Sequence, residues 1–240
     1  MTTKLNDALV QPVLEISKRI VDLFVLVDCS ASMGGSKIAT TNQAMRESMN
    51  ELQDIAKQHP DIEHRIRCIA FANNAWWHIG PDPVESSTLT WTDLSVGGCT
   101  ATGAAVKLLA DTLREDNMPR RGRPPVLVLI SDGGNTDGQA YDRAIEQLDK
   151  ERWGAKAVRL AIGIGKGFKR QQLEKFTNHA EIGVLEARNA VDLVRQIRYA
   201  TVTSSIASIR NLSQPEILKN NVLLPSPPKS VAENINLKVF

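Results

Sequence analysis

FVLVDCSAS, residues 24–32, decides the fold. The apolar run over residues 23–27 ends on Asp28, and a second stretch, VLVLISDGG at 126–134, repeats the arrangement: an apolar run over 126–130, then Asp132 and two glycines. Short uninterrupted apolar runs of this kind mark strands covered on both faces, as in a parallel sheet. Asp28 and Asp132 therefore stand where buried strands end and loops begin, the edge at which open α/β sheets take ligands. Between them GGCTATG, residues 97–103, sets Thr100 just ahead of a helical pattern. Asp28, Ser30, Ser32, Thr100 and Asp132 are together read as one metal site.

The donors are all hard oxygens. Such a set suits Mg²⁺, which prefers octahedral oxygen coordination at about 2.0–2.1 Å and retains waters; Mn²⁺ and Ca²⁺ are the alternatives. Ser30 and Ser32 are two residues apart, so in an extended segment their side chains face the same way while Cys29 and Ala31 face elsewhere. Where neutral hydroxyls are the main direct ligands and the aspartates act partly through water, the ion keeps positive charge and attracts an Asp or Glu from a partner protein.

Outward from these runs, strand and helix patterns alternate along the chain. A helix is expected over 36–58, where Ile38, Met45, Met49, Leu52 and Ile55 share one face. Residues 64–72 alternate polar and apolar and pair with 75–79 across Asn73–Asn74 as an antiparallel edge hairpin. Helices over 103–116, 138–150, 168–178 and 190–208 then interleave with strands over 125–131, 156–163 and 182–187. That order predicts an α/β three-layer, Rossmann-like domain, a mostly parallel sheet with one antiparallel edge strand and helices on both faces. Ser36, Thr136 and Asp137 precede helical patterns and are expected to cap them. GIGKG at 163–167 lacks the Ser or Thr that a phosphate loop needs after its lysine and is read as a strand-to-helix turn. Of Trp76 and Trp77, strand geometry sends one inward and one outward. Trp77 joins Gly133, Gly134 and Asn135 as the expected partner-binding rim, the glycines letting a partner's backbone approach.

Composition narrows the function. The net charge of +2 gives no electrostatic reason to expect nucleic acid or a membrane surface, and the one dense basic run, Arg120, Arg121 and Arg123, is read as a solvated loop. No stretch approaches 18 apolar residues, and residues 1–20 carry Asp7, Glu15, Lys18 and Arg19 where a signal peptide would be apolar, so a cytoplasmic location is expected. Three cysteines make no disulfide framework; Cys29 and Cys99 are expected to be small, buried and reduced. The four histidines, among them His179, show no metal-ligand spacing. Residues 1–19 form an extension, and 209–240, punctuated by Pro215, Pro225, Pro227 and Pro228, form a tail that either docks on a partner or stays unstructured.

D-x-S-x-S at 28–32, the threonine of GGCTATG and the aspartate of SDGG together resemble the metal-ion-dependent adhesion site of von Willebrand factor A domains, over residues 20–208. FVLVDCSASM, GGCTATGAAVKLLADTL and PVLVLISDGGNTDG most resemble the bacterial TerY-like proteins of tellurite resistance and stress operons. Two departures stand out: Ala31 where glycine is commoner, and an extra residue, Cys99, before Thr100, which leaves Thr102 as an alternative ligand. The resemblance implies a non-catalytic binding module that serves as a scaffold or regulator in stress response, phosphosignalling or phage defence. It also implies partners that include a Ser/Thr protein kinase and a PPM-type phosphatase. Two alternatives stay open: a metal-dependent phosphatase or phosphoryl-transfer enzyme with Asp28 as nucleophile, and an accessory subunit of an AAA+ ATPase. The acidic pair of a phosphatase is missing, since Ser30 stands two residues after Asp28.

Overall fold

The structure, a computed structural model, describes residues 18–114, 116–118, 122–178, 182–203, 205 and 226–229. The extension through residue 17, Arg120, Arg121, His179 and most of the tail lie outside the described residues. Six strands form one sheet in the order β3-β2-β1-β4-β5-β6: β1 Arg19–Asp28, β2 Ile62–Phe71, β3 Ala75–Glu85, β4 Val126–Ser131, β5 Val158–Ile164 and β6 Val184–Ala187. All neighbours pair in parallel except β2 with β3, so the expected antiparallel strand is β3 and it lies at the edge.

Why the β1 run is apolar without a break is plain from its two faces. Leu23, Val25 and Val27 enter a core with Met45, Met49 and Leu52 of α1 (Ser36–Gln58) and Leu193 and Ile197 of α6 (Ala190–Arg198). Phe24 and Leu26 enter the opposite core with Val106 and Leu109 of α2 (Thr102–Thr112) and Tyr141 and Leu148 of α3 (Gly138–Lys150). Two five-residue helices, α4 (Arg152–Lys156) and α5 (Arg170–Glu174), complete the described set; α5 is shorter than the pattern over 168–178 predicts. Past Arg198 the backbone widens into a π turn, Tyr199–Thr203, where a regular helix to 208 is expected.

The turn-rich stretch after β3 is pinned by Asn42 of α1. Its side-chain oxygen accepts from the Leu94 amide at 2.9 Å and from Trp91 Nε1 at 3.2 Å, and its Nδ2 donates to the Leu94 carbonyl at 2.9 Å. That latch fixes where residues 97–101 arrive.

Among the described residues, a buried histidine lacks hydrogen-bond compensation at both ring nitrogens. His64 on β2 is 1% exposed, and neither ring nitrogen has a hydrogen-bond partner among the described residues. Burial holds its pKa down, from an ordinary 6.5 to about 4, so the native ring is neutral where the unfolded chain takes up a proton. Stability contributed by the neutral ring is present above pH 6.5 and lost as pH falls toward 4. His64→Leu is expected to stabilise the fold by about 1–3 kcal/mol at pH 7 by removing two unsatisfied polar atoms. Urea unfolding of both proteins at pH 7.5 and 5.5 checks this: the gap between them should widen at the lower pH.

Candidate metal centre

β1 and β4 lie side by side in parallel, and the chain leaves them in opposite directions, from β1 to α1 on one face and from β4 to α3 on the other. Their carboxyl ends therefore part and open a crevice, the topological switch point of the sheet. The segment 97–101 lies across it. Gly97 N donates to the Cys29 carbonyl at 2.8 Å, Ala31 N to the Gly98 carbonyl at 3.1 Å, and Thr136 N to the Thr100 carbonyl at 2.8 Å. These bonds tie the segment that carries Thr100 to the loops after both strands.

Asp28 sits at the foot of the crevice, fully buried. Its Oδ1 accepts from the Ser30 amide at 2.8 Å and its Oδ2 from Ser131 Oγ at 2.6 Å. Burial pushes the carboxyl above its usual pKa, while the bonds from Ser131 and Ser30 oppose that shift. Higher up, the Ser30 and Ser32 hydroxyls lie 3.0 Å apart, and Ser32 Oγ donates to Asp132 Oδ1 at 2.8 Å. Ser30 is 2% exposed and Asp132 7%, while Ser32 is open to solvent, so the row of oxygens climbs from interior to surface.

This spacing fits a hard divalent cation. Two oxygens about 2.1 Å from one ion and at right angles stand about 3.0 Å apart. The Ser30–Ser32 and Ser32–Asp132 separations are 3.0 and 2.8 Å. Among the described residues no three His, Cys, Asp or Glu side chains gather as a metal cage, so a cation here depends on the hydroxyls. Thr100 is 7% exposed, and Thr102, 5% exposed, is the first residue of α2.

Three contacts have no local sequence signature. Ser131 steadies Asp28 from 103 residues away. Lys37, in the first turn of α1, donates Nζ to the Ser32 carbonyl at 3.0 Å and to Asp132 Oδ2. Its ammonium thus competes with any cation for Asp132. Lys37→Met is expected to tighten Mn²⁺ binding about tenfold, the worth of one charge-assisted bond, as read by calorimetric titration. Asp137 is the third: its carboxylate accepts from the Gly103 and Ala104 amides, both at 3.1 Å.

Several expectations need correction. Asp137 caps α2 rather than the α3 helix it precedes, and neither Ser36, which lies inside α1, nor Thr136 makes a cap bond; Gly35 and Asp137 hold the two N-cap positions without side-chain bonds. Cys99 is exposed, its amide donating to Asn73 Oδ1 at 2.8 Å, whereas Cys29 and Cys68 are buried. Of the tryptophan pair Trp76 is the exposed member at 43%, whereas Trp77, expected at the rim, is half-buried and packs partly against the α2-side core. Trp77 lies opposite Ile69, which faces the α2 side, and Trp76 opposite Ala70, which faces the other, and alternation alone does not say which face is covered at this edge. Gly133, Gly134 and Asn135 line the loop after β4, half-buried, and the Asn135 amide donates to Gln172 Oε1 at 3.0 Å.

A family model for the von Willebrand factor type A domain matches residues 22–197, and the chain belongs to that family. Among solved structures it is similar to a von Willebrand factor type A protein from Catenulispora acidiphila, at 18% identity and TM-score 0.57, covering 79% of this chain and 43% of that one. The ArnB paralog VWA2 from Sulfolobus acidocaldarius follows at 17% and 0.58, with 76% and 45% covered. Proximal thread matrix protein 1 from the mussel byssus, with a zinc-occupied MIDAS motif, aligns at 20% and 0.56, with 82% and 47% covered. At these identities the likeness is one of fold, and the chain spans less than half the length of each of these chains. No helix among the described residues is long and apolar enough to cross a membrane.

Proposed function

We propose that this domain is a non-catalytic module that binds a protein partner through a divalent cation, Mg²⁺ in the first instance. The observation that carries it is the row of oxygens, Ser30 Oγ, Ser32 Oγ and Asp132 Oδ1, spaced as neighbouring ligands at an open crest. Ser30, Ser32 and Thr100 would hold the ion, Thr100 being preferred over Thr102 because its own carbonyl is tied to the β4 loop. Asp132 holds it from the opposite loop, and Asp28, whose two oxygens already accept hydrogen bonds, supports it from beneath. When bound, the cation supplies a coordination position for a partner's Asp or Glu. Gly133, Gly134 and Asn135 form the rim that the partner's backbone meets.

Asp28 is a poor nucleophile in this setting. It is fully buried and both oxygens are engaged, which favours binding over phosphoryl transfer. The finer role rests on the three sequence stretches quoted above: a TerY-like scaffold or regulator of bacterial stress response, cytoplasmic, with a Ser/Thr protein kinase and a PPM-type phosphatase among its partners. The test is affinity capture from host extract in Mg²⁺ and in EDTA. Specific partners should elute when chelator is added; the same partners retained in EDTA would contradict the proposal.

A further inference from the structure

Among the described residues two large apolar side chains are exposed, Trp76 at 43% and Val96 at 37%, and both stand on the metal-centre edge of the sheet. Trp76 is the second residue of β3 and pairs with Ala70, one place before the end of β2. Ala70 belongs to the core on the α1 side, so Trp76 points to that face, and so does His78 two residues on.

The segment after β3 climbs along the same face. His78 Nε2 donates to the Thr92 carbonyl at 2.9 Å, and its ring lies edge-on to Trp91 with centroids 4.9 Å apart. Beyond the Asn42 latch at Leu94, Gly97 is bonded to the loop after β1. Val96 is thereby carried beside that loop: a Cβ on Gly34, two residues after Ser32, would fall 3.9 Å from Val96 Cγ2. The β2–β3 turn is tied to the crest as well, since the Ala101 amide donates to the Ala72 carbonyl at 2.7 Å and Asn73 holds the Cys99 amide. Val96 thus adjoins the serine loop, and Trp76 lies further out along the same edge. Asn73, Asn74 and Ser95 around them are exposed and uncharged, which gives an apolar centre with a polar border, the make-up of a protein interface.

We propose that Trp76 and Val96 seat an apolar side chain of the same partner segment whose Asp or Glu reaches the cation. The inference rests on the metal-bridged reading above and adds the partner's chemistry to it. A cation with an open position takes any carboxylate, so discrimination between acidic partners has to come from a second contact. A tryptophan held on a paired strand is suited to that role, because it offers a large surface at little entropic cost and shields the neighbouring polar contact from water. β3 lies two strands from β1, about 10 Å at the usual strand spacing, which an extended segment crosses in about three residues. The partner segment therefore carries an aromatic or branched aliphatic residue about three places from its acid.

The test uses the full chain and a displayed library of short peptides, one position fixed as aspartate and the rest random, selected in Mg²⁺ and eluted with EDTA. The eluted peptides should be enriched in Leu, Ile, Phe or Trp about three places from the fixed acid. By fluorescence anisotropy in Mg²⁺, the tightest of them should bind at least tenfold more weakly to Trp76→Ser and about threefold more weakly to Val96→Ser, while Trp76→Phe keeps most of the affinity. Mn²⁺ affinity by calorimetry should be the same in all three variants, which a damaged fold or metal centre would not allow. Metal-dependent peptides with no apolar preference, or with affinity indifferent to Trp76→Ser, would overturn the apolar seat and leave the metal-bridged reading standing. Peptides that bind equally well in EDTA or with the fixed aspartate changed to asparagine, or a selection that recovers none, would overturn both.

Discussion

Ser30→Ala combined with Ser32→Ala is expected to weaken Mg²⁺ and Mn²⁺ binding by at least about a hundredfold and to abolish chelator-sensitive partner capture. Losing a group that merely orients a metal ligand already costs 10–100-fold or so in affinity, and this variant removes two hydroxyls proposed to touch the ion. The fold should survive. The Ser30 amide still donates to Asp28, Ser131 still reaches the other Asp28 oxygen, and Ser32 is at the surface. What is lost is the Ser30–Ser32 hydrogen bond and the one from Ser32 to Asp132, together about 1–3 kcal/mol. Calorimetric titration with Mn²⁺ and thermal unfolding in EDTA separate the two effects. Unchanged Mn²⁺ affinity in the variant would rule the serines out as ligands.

The second large effect falls on Gly103→Ala. In an ordinary helix this change stabilises by about 1 kcal/mol. Here the sign should reverse, because a Cβ at 103 would lie 2.5 Å from the Tyr141 amide nitrogen and 2.7 Å from Asp137 Oδ2. The first contact is with α3 backbone, which cannot turn aside as a flexible side chain would, and the second is with the carboxylate that caps α2. Overpacking plus a lost cap should cost about 2–4 kcal/mol, or a fall in Tm of roughly 5–15 °C for a domain of this size. Thr100 lies three residues before the clash, so metal affinity should fall with stability. A variant as stable as the wild type would mean that α2 and α3 stand further apart than described.

How much of this was legible beforehand depended on whether a feature is local. The β1 and β4 runs are continuous because both sheet faces are covered, so their strand character, their parallel neighbours and the position of Asp28 and Asp132 at loop junctions follow from residues within a few places of one another. The same holds for α1, whose observed span is the one its apolar face predicts. Asn42, Ser131, Asp137 and Lys37 were not legible, because each acts on a partner 34 to 103 residues away. A helix-period or strand-period pattern carries no trace of such a bond. The choice between Trp76 and Trp77 was not legible for another reason: alternation fixes that they differ, while the covering of each sheet face at this edge, by the α2-side core over Trp77, decides which one is exposed.

The most direct measurement is an anomalous difference map from crystals soaked in Mn²⁺. A single peak within about 2.3 Å of Ser30 Oγ and Ser32 Oγ, and on the same side as Thr100 and Asp132, is the expected result, allowing for the slightly longer bonds of an ion larger than Mg²⁺. A peak elsewhere on the molecule, or none at saturating Mn²⁺, would contradict the metal-centred account.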